Sequence, residues 1–174
     1  MRIDPERDRQ TVNPDGTRIA ALIDGVRMRA AVTQEDDRGT VTEILSAKWD
    51  FDDAPLVYVY QTTIRPHKIK GWVVHTEQDD RLFFSIGSVR VVLYDARENS
   101  RTNGMINELY YSPHNRGLLR IPRGVYHAIQ NIGESEVLFI NLPTQPYRHE
   151  RPDKFRLPLD TDLIPYRFVD RLGG

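Results

Sequence analysis

Short apolar runs alternate with polar turns along most of the chain, and this pattern predicts an all-β protein. The strongest run is 56–64, LVYVYQTTI, whose β-branched and aromatic side chains favour a strand. Residues 69–91 predict a hairpin in which two apolar runs flank the polar connection 76–81, with His75 at its lip. Turn residues separate the other runs that we predict as strands, at 40–45, 89–94, 108–111, 117–122, 125–131 and 137–142.

Residues 19–32 are ambiguous, because their apolar positions fit helical spacing while Gly25 interrupts it. A short helix and a pair of strands both remain open. At least eight short strands with few helices are typical of a β-sandwich, a barrel or a jelly roll. We expect one domain over residues 1–174, with a polar arm over 1–18 and a C-terminal segment over 143–174 that wraps the surface.

The composition argues against several classes of function. The 174 residues carry a formal net charge of -1, which gives no bulk attraction for nucleic acid or for a membrane surface. The chain contains no cysteine, and therefore no disulfide, thiolate nucleophile or thiolate metal site. No apolar run reaches the ~18 residues of a membrane span, and the first residues are charged rather than signal-like. We therefore expect a cytoplasmic protein.

The five histidines are the first candidates for chemistry, because imidazole titrates near neutrality. His67, His114 and His149 lie in predicted loops. His75 and His127 lie in apolar strand contexts, where each could be a buried and satisfied core residue. If both face one cavity, they would instead supply a base and its partner.

Residues 122–131, PRGVYHAIQN, have the pattern P-x-G-x-x-H-x-x-x-N. A proline-glycine turn followed by an inward histidine resembles the second motif of the cupin superfamily. The first cupin motif is incomplete, since Glu77 stands where a second histidine would follow His75. A mixed site of His75, Glu77, Asp80 and His127 could bind a divalent metal, or the acidic residues could form a solvated turn.

Four stretches of the chain form an ordered set: 37–43 (DRGTVTE), 74–77 (VHTE), 95–100 (DARENS) and 121–129 (IPRGVYHAI). In this order they resemble the motifs of the dTDP-4-dehydrorhamnose 3,5-epimerase family, metal-free cupin-fold enzymes of deoxysugar biosynthesis. The third and fourth stretches are the most specific, and the resemblance covers roughly residues 36–168. It implies a cupin-type double-stranded β-helix, or jelly roll, with few short helices.

The resemblance also implies a reaction. A histidine base would remove a proton beside the keto group of a nucleotide-linked sugar, without a cofactor, and a tyrosine would return a proton to the other face. Carried over, His75 would be the base, and His127 would support the pocket or contact the substrate. Asp95 and Arg97 would hold the loop that follows them.

Four further residues would bind the substrate by the same resemblance. Arg81 would lie near the sugar oxyanion, and Gln61 near the base or the sugar. Arg38 and Glu43 would contact the nucleotide across the interface of a homodimer. Each also has a plain structural interpretation: Arg38 could pair with neighbouring aspartates, Arg81 could be a turn cation, and the other two could be strand-surface residues.

The chain departs from the family at three positions. Phe139 stands where the family has its proton-donating tyrosine, and Trp72 where it has an arginine. The aspartate that orients the family's base has no evident counterpart, Asp170 being the one candidate. Substitutes for the missing phenol and cation are conceivable at Tyr126, Tyr147, Lys68 and Lys70.

Three hypotheses follow from these observations. The first is a sugar-nucleotide epimerase or isomerase whose reaction scope is altered by the missing tyrosine. The second is a non-catalytic cupin that binds a nucleotide sugar or another small ligand. The third is a metal-dependent cupin that uses His75, Glu77 and His127.

Overall fold

The computed structural model of the protein describes residues 7–16, 19 and 21–169. Within these ranges the chain forms strands and turns but no helix, which confirms the all-β prediction and leaves the few short helices unfound there. No helix of the length and apolarity that a membrane crossing requires occurs in this part. Of the expected N-terminal arm, residues 1–6, 17 and 18 lie outside the described ranges.

The strands of the described part, in chain order, are β1 (Arg27–Ala30), β2 (Thr33–Asp36), β3 (Gly39–Thr42), β4 (Tyr60–Ile64), β5 (Ile69–Val74), β6 (Asp80–Ile86), β7 (Val89–Asp95), β8 (Ile106–Tyr111), β9 (Gly117–Ile121), β10 (Val125–Asn131), β11 (Val137–Asn141) and β12 (Phe155–Arg156). The ambiguous segment 19–32 thus contributes β1. The hairpin that follows consists of β2, which was not predicted, and β3, which overlaps the strand predicted at 40–45.

Two antiparallel five-stranded sheets form the body of the protein. The first has the order β1-β9-β6-β11-β4, and the second has the order β12-β5-β10-β7-β8. Successive strands such as β6 and β7, or β9 and β10, lie in different sheets, so the chain passes repeatedly from one sheet to the other. This is the jelly-roll arrangement that the motifs predicted. Apolar side chains from both sheets share one core, including Leu82, Phe84, Val91, Leu93 and Leu119.

The C-terminal segment covers the outer side of the second sheet. Ile164 and Tyr166 are buried there against Trp72, whose indole is 0% exposed and meets the Tyr166 ring edge-on at 6.1 Å. Truncating such a buried aromatic side chain costs about 3–5 kcal/mol. The short strand β12 joins the edge of β5, where Phe155 pairs with Val74. The segment therefore completes the sheet that carries His75.

The loop after β7 is closed by a network of polar side chains. Asp95 accepts hydrogen bonds from Arg97 Nε at 2.8 Å, Ser100 Oγ at 2.5 Å and Thr102 Oγ1 at 2.6 Å. Arg97 also donates to the carbonyl of Asp24 at 2.7 Å, which ties the loop to the chain before β1. The prediction that Asp95 and Arg97 hold this loop is confirmed.

Candidate active site

His75 and His127 lie side by side in the space between the two sheets. His75 directly follows β5, and His127 lies in β10, where it pairs with Val73 of β5. Because residues two apart share one face of a strand, His75 points inward like Val73. The two imidazole rings are stacked at 29° with their centroids 5.6 Å apart. The structure thus brings together the two residues that were predicted to be catalytic.

The proline-glycine turn before β10 positions this pair. Gly124 has a φ of 79°, and a Cβ there would lie 2.8 Å from Cγ of Arg97, so a larger residue would strain the turn. The Gly124 N–H donates to the carbonyl of His75 at 2.7 Å. The P-x-G-x-x-H motif therefore joins the strand that carries His127 to the backbone of His75.

A buried carboxylate contacts both histidines from the opposite sheet. Asp80 is 3% exposed, and its Oδ2 lies 3.3 Å from Nε2 of His75 and 3.6 Å from Nε2 of His127. The side-chain amide of Gln78 donates to Oδ1 of Asp80 at 3.1 Å. The predicted connection 76–81 is too long, and the solvated-turn interpretation of Asp80 is wrong, because β6 already begins at Asp80 and its alternation turns the carboxylate inward.

Both ring nitrogens of His75 face acceptors. Nδ1 donates to the backbone carbonyl of Asp153, and Nε2 faces the Asp80 carboxylate. Burial lowers the pKa of His75, but the hydrogen bond and charge of Asp80 outweigh it, so the net pKa is raised above its usual value. Burial likewise raises the pKa of Asp80, and His75 outweighs it, so that pKa is lowered. The two shifts run in opposite directions, because each group favours the charged form of the other.

His127 behaves differently from its neighbour. Burial lowers its pKa to about 4, despite the opposing charge of Asp80. It is therefore neutral at physiological pH. The two imidazoles that contact this carboxylate therefore have pKa values shifted in opposite directions.

Asp153 fixes the loop that follows His75. Its carboxylate accepts the backbone N–H groups of Thr76 at 2.9 Å, Glu77 at 2.8 Å and Gln78 at 3.0 Å. Its own backbone carbonyl accepts the proton of His75 Nδ1. Asp153 thus orients His75, and the sequence had offered no evident counterpart for an orienting aspartate. The earlier candidate, Asp170, lies outside the described residues.

A cavity opens from the histidines toward the protein surface. Its empty space, including the open mouth, is about 660 Å³. One wall belongs to the first sheet and carries Tyr60, Thr62, Leu82, Phe139 and Asn141. The opposite wall belongs to the second sheet, and the cationic side chains Lys70, Lys154 and Arg156 also line the space.

A second recess adjoins the cavity. It has an empty volume of about 490 Å³ and shares Tyr60, His75 and Lys154 with the cavity. Its further lining includes the aromatic rings of Tyr58 and Tyr147 and the guanidinium of Arg148. A ligand could therefore extend from the histidines into an aromatic and cationic recess.

Arg81 does not lie in this cavity. The side chain is 1% exposed and points to the outer side of the first sheet, where NH1 lies 3.1 Å from Asp52 Oδ1. Its other donors reach the backbone carbonyls of Ala54, Pro55 and Leu142 at 2.9, 2.9 and 2.7 Å. Strand alternation separates it from its neighbour Asp80, so the structure does not bring Arg81 near the predicted oxyanion.

The other three predicted binding residues also lie apart from the histidines. Arg38 is at the tip of the β2–β3 hairpin, where it pairs with Asp36 at 2.5 Å, and its side chain is 85% exposed. Glu43 follows β3 and is exposed. Gln61 in β4 is exposed as well, on the face opposite to Tyr60 and Thr62.

The departures from the family motifs have clear positions. Phe139 is 4% exposed and lines the cavity, where it offers no proton. Trp72 faces the outer side of its sheet instead of the cavity. Tyr126 packs in that same outer cluster, whereas Tyr147 lines the recess. Of the two lysines considered as substitutes, Lys70 lines the cavity.

The sequence analysis missed four residues of the site: Tyr60, Asp153, Lys154 and Arg156. A signal existed for the first, because alternation along LVYVYQTTI places Tyr58, Tyr60 and Thr62 on one face. The other three reach the cavity through the C-terminal segment, whose path no local pattern indicates.

His75, Asp80 and His127 could also hold a metal ion. Each offers one ligand atom, and these atoms lie within 4.8 Å of one another. Two imidazoles and one carboxylate suit several divalent ions. The metal set considered from the sequence contained Glu77, but this side chain lies outside the cluster and pairs with Arg148 at 2.8 Å. Glu77 is therefore removed from the candidate metal ligands, and Asp80, which the four-residue set already contained, takes its place beside the two histidines.

Comparison with known proteins adds two relatives. The chain is 34% identical over 151 residues to the spore coat polysaccharide biosynthesis protein SpsL of Bacillus subtilis, covering 84% of this chain and 97% of SpsL. It is 34% identical over 139 residues to the probable low-salt glycan biosynthesis epimerase Agl13 of Haloferax volcanii, covering 79% and 89%. No protein-family model matches the chain.

Solved structures agree with these relatives. A dTDP sugar isomerase from Desulfovibrio desulfuricans superposes with a TM-score of 0.76 and 27% identity, covering 84% of this chain and 94% of that chain. Structures named dTDP-4-dehydrorhamnose 3,5-epimerase share the fold with TM-scores of 0.72 and 0.73 at 18% and 16% identity. With the ordered motifs, the paired histidines and these relatives in view, the chain belongs to the dTDP-4-dehydrorhamnose 3,5-epimerase family of cupin-fold proteins.

Proposed function

We propose that this protein is a sugar-nucleotide epimerase or isomerase of deoxysugar biosynthesis, in which His75 removes a proton beside a keto group. The observation that carries the proposal is the buried His75–Asp80 pair at 3.3 Å, which faces a cavity lined by cations. The printed names of the relatives, an epimerase of glycan biosynthesis and a dTDP sugar isomerase, support the same reaction class.

The geometry suits His75 as the base. Because Nδ1 is committed to the Asp153 carbonyl, Nε2 is the atom that would accept the substrate proton. Asp80 would then stabilise the imidazolium that forms. A keto group acidifies the adjacent C–H bond by receiving its electron pair as an enolate, and Lys154 or Lys70 would stabilise the enolate oxygen. His127 would stay neutral and support the carboxylate.

The substrate that we propose is linked to a nucleoside diphosphate. Lys70 and Arg156 lie where they could pair with phosphate oxygens, and Arg148 borders the adjoining recess. The rings of Tyr58 and Tyr147 offer stacking surfaces for a nucleobase. Complexes with dTDP or a dTDP sugar are known for structural neighbours that share the fold, so dTDP is the first nucleotide to test.

A homodimer would complete the site. The β2–β3 hairpin forms a separate two-stranded sheet that projects Arg38 into solvent, and its apolar Val41 is 69% exposed. Leu56 and Val59 near β4 are 58% and 49% exposed. We propose that these surfaces meet in a dimer, in which Arg38 and Glu43 reach the nucleotide in the partner's cavity and Gln61 lies at the interface. A cytoplasmic location stays a prediction from the sequence.

Deuterium uptake from solvent tests the reaction. The protein is incubated in D₂O with dTDP-4-keto-6-deoxyglucose, and the substrate mass is followed for wild type, His75→Asn and the control His67→Asn. His67 is an exposed histidine that pairs with Glu134 at 3.2 Å, outside the cavity. We expect uptake by wild type and the control, and a loss of about 10²- to 10⁴-fold in His75→Asn. Equal uptake by His75→Asn would refute the assignment of the base.

The same experiment addresses the two other functions. A non-catalytic cupin would bind the dTDP sugar in calorimetry yet give no uptake with any variant. A metal-dependent enzyme is a second candidate, because His75, Asp80 and His127 offer three ligand atoms within 4.8 Å. Stoichiometric metal in the purified protein, together with loss of uptake in chelator and its return with added divalent ions, would favour that candidate over a metal-free base.

A further inference from the structure

The active site needs a proton donor that Phe139 cannot supply, and the neighbouring strand carries a phenol in the same cavity. In the register of β11 with β4, Phe139 pairs with Thr62, and Asn141 pairs with Tyr60. Cross-strand partners share a face, and so do residues two apart on one strand. Tyr60 is therefore the diagonal neighbour of Phe139 on the wall of the cavity.

The hydroxyl group of Tyr60 is oriented by one defined contact. It accepts a hydrogen bond from Nδ2 of Asn141 at 2.7 Å, and its own hydrogen meets no acceptor among the residues that the structure describes. The side-chain oxygen of Asn141 is buried there without a partner in the same ranges. This wall thus carries a phenolic proton without an acceptor in the described ranges, beside a buried amide oxygen without a donor.

Tyr60 and His75 lie on opposite walls. Tyr60 belongs to the first sheet, His75 follows a strand of the second sheet, and both line the cavity and the adjoining recess. A sugar ring bound between the sheets would show one face to each of them. Burial, and then the charge of Asp80, raise the pKa of Tyr60 to about 12, so the phenol keeps its proton at neutral pH.

From this geometry we propose that Tyr60 is the proton donor of the reaction, in place of the tyrosine that the family carries at the position of Phe139. The assignment rests on the proposed epimerase function. After His75 takes the substrate proton, the Tyr60 O–H bond breaks and a C–H bond forms at the enolate carbon on the opposite face. The electron pair stays on the phenolate, which regains a proton from water at the cavity mouth, while His75 releases to solvent the proton that it took from the substrate; nothing is oxidised or reduced.

The test separates proton removal from inversion of configuration. Wild type, Tyr60→Phe and the control Tyr126→Phe are incubated in D₂O with dTDP-4-keto-6-deoxyglucose. Mass spectrometry reports deuterium uptake, and NMR coupling constants report the epimer formed. Tyr126 is a matched phenol that packs on the outer side of the second sheet. We expect Tyr60→Phe to retain uptake through His75 while epimer formation falls about 10²- to 10⁴-fold, with no change in Tyr126→Phe.

A second variant excludes a failure of folding. Tyr60→Phe/Phe139→Tyr moves the phenol to the diagonal neighbour, and recovery of epimer formation by at least tenfold over Tyr60→Phe would support the assignment. Wild-type epimer formation in Tyr60→Phe would overturn the role of Tyr60 and leave the proposed function intact. Loss of uptake together with epimer formation in folded Tyr60→Phe would also overturn it. Absence of uptake in wild type would refute the proposed function itself.

Discussion

Asp80 and Asp95 are both buried aspartates with a lowered pKa, yet their surroundings differ in kind. Asp95 is 0% exposed, and its side-chain partners Arg97, Ser100 and Thr102 all come from the loop that directly follows it. Burial raises the pKa of Asp95, but these donors outweigh it and the pKa is well below normal. None of the three donors changes its charge near neutral pH.

Asp80 has partners that titrate and a cavity beside it. Its carboxylate contacts two imidazoles, both carried by the opposite sheet and one of them from a distant part of the chain, and it lines an empty volume. The comparison shows that burial and a shifted pKa do not by themselves mark a functional carboxylate. Partners that exchange protons near neutrality, together with room for a ligand, are the distinguishing features.

The ion pair of Arg81 with Asp52 extends the comparison and gives the largest expected effect. Because the pair is buried and faces away from the cavity, Arg81→Met would leave Asp52 uncompensated and lower the free energy of unfolding by about 3–5 kcal/mol. Denaturant unfolding measures this. Arg101→Met, at a side chain 85% exposed, should cost less than about 1 kcal/mol. Folded Arg81→Met should keep its deuterium uptake. A loss of uptake in the folded variant would indicate that Arg81 belongs to the active site.

Asp80→Asn should reduce kcat/KM about 10²- to 10³-fold, because the imidazolium formed at His75 loses its counter-charge. Its free energy of unfolding should fall, because the lowered pKa of Asp80 means that folding favours the charged carboxylate, but by less than in Arg81→Met, since His75 can lose its proton. The neighbouring Asp79→Asn is the matched control, because Asp79 pairs with Arg120 at 2.6 Å outside the cavity. A reversed result, with activity lost only in Asp79→Asn, would break the contrast between the two carboxylates.

Asp95→Asn should lower the free energy of unfolding by about 2–3 kcal/mol with little change in activity per folded molecule. The lowered pKa makes this contribution full above the pKa of the unfolded carboxyl, near 3.9, and it is lost as pH falls toward the lower folded value. Denaturant unfolding between pH 3 and 7 would show the difference from wild type shrinking at the acidic end. A difference independent of pH would contradict this account. Asp162→Asn, at a side chain 96% exposed, serves as the control.

The pH dependence of activity should separate the two aspartates as well. The raised pKa of His75 means that its neutral, base form prevails only above the usual value of 6.5, so the acidic limb of kcat/KM should lie above that pH. In Asp80→Asn only burial remains as the main influence, and the limb should move to lower pH. In Asp95→Asn the limb should not move. An unshifted limb in Asp80→Asn would show that another group controls it.

The smallest expected effect is that of Arg38→Ala. Among the residues that the structure describes, the side chain of Arg38 pairs with Asp36 alone, and both are exposed, so stability should change by less than about 0.5 kcal/mol. If the hairpin reaches the partner's nucleotide, KM for the dTDP sugar should rise about three- to tenfold at constant kcat. Steady-state kinetics above and below the dissociation concentration of the dimer would measure this. An unchanged KM would remove Arg38 from the binding site.

The fold was largely predictable because its signals are local. Runs such as 125–131 and 137–142 alternate with turn residues, and the structure places strands there within a residue. The acidic residues before Leu82 were assigned to a polar connection. The sequence alone does not distinguish a polar residue at the start of a strand that faces solvent from one that faces a cavity. Strand β1 was left ambiguous and strand β2 was missed, because the residues of both are exposed and show no clear apolar periodicity.

The candidate site was predictable only where a sequence motif corresponds to a defined local backbone geometry. The P-x-G-x-x-H pattern found His127. His75 was found at the end of an apolar run, although the hairpin predicted there is wrong, because β5 and β6 lie in different sheets. Asp153 could not be found in this way, since its contacts to His75 and Thr76 link positions 78 and 77 residues apart. Arg81 was wrongly placed in the site because the resemblance to a motif does not determine which side of the sheet a side chain faces. A shift of one residue along β6 separates the inward Asp80 from the outward Arg81.

The contact between Asp153 and His75 also determines when this protein becomes competent. Loop closure across such a separation is slow compared with the formation of hairpins such as β2–β3. Eleven of the twelve described strands precede Asp153 along the chain, so they can pair before the carbonyl that fixes the tautomer of His75 is in place. The site is therefore incomplete until residues 153–156 dock against β5, and we expect this docking to come late in folding.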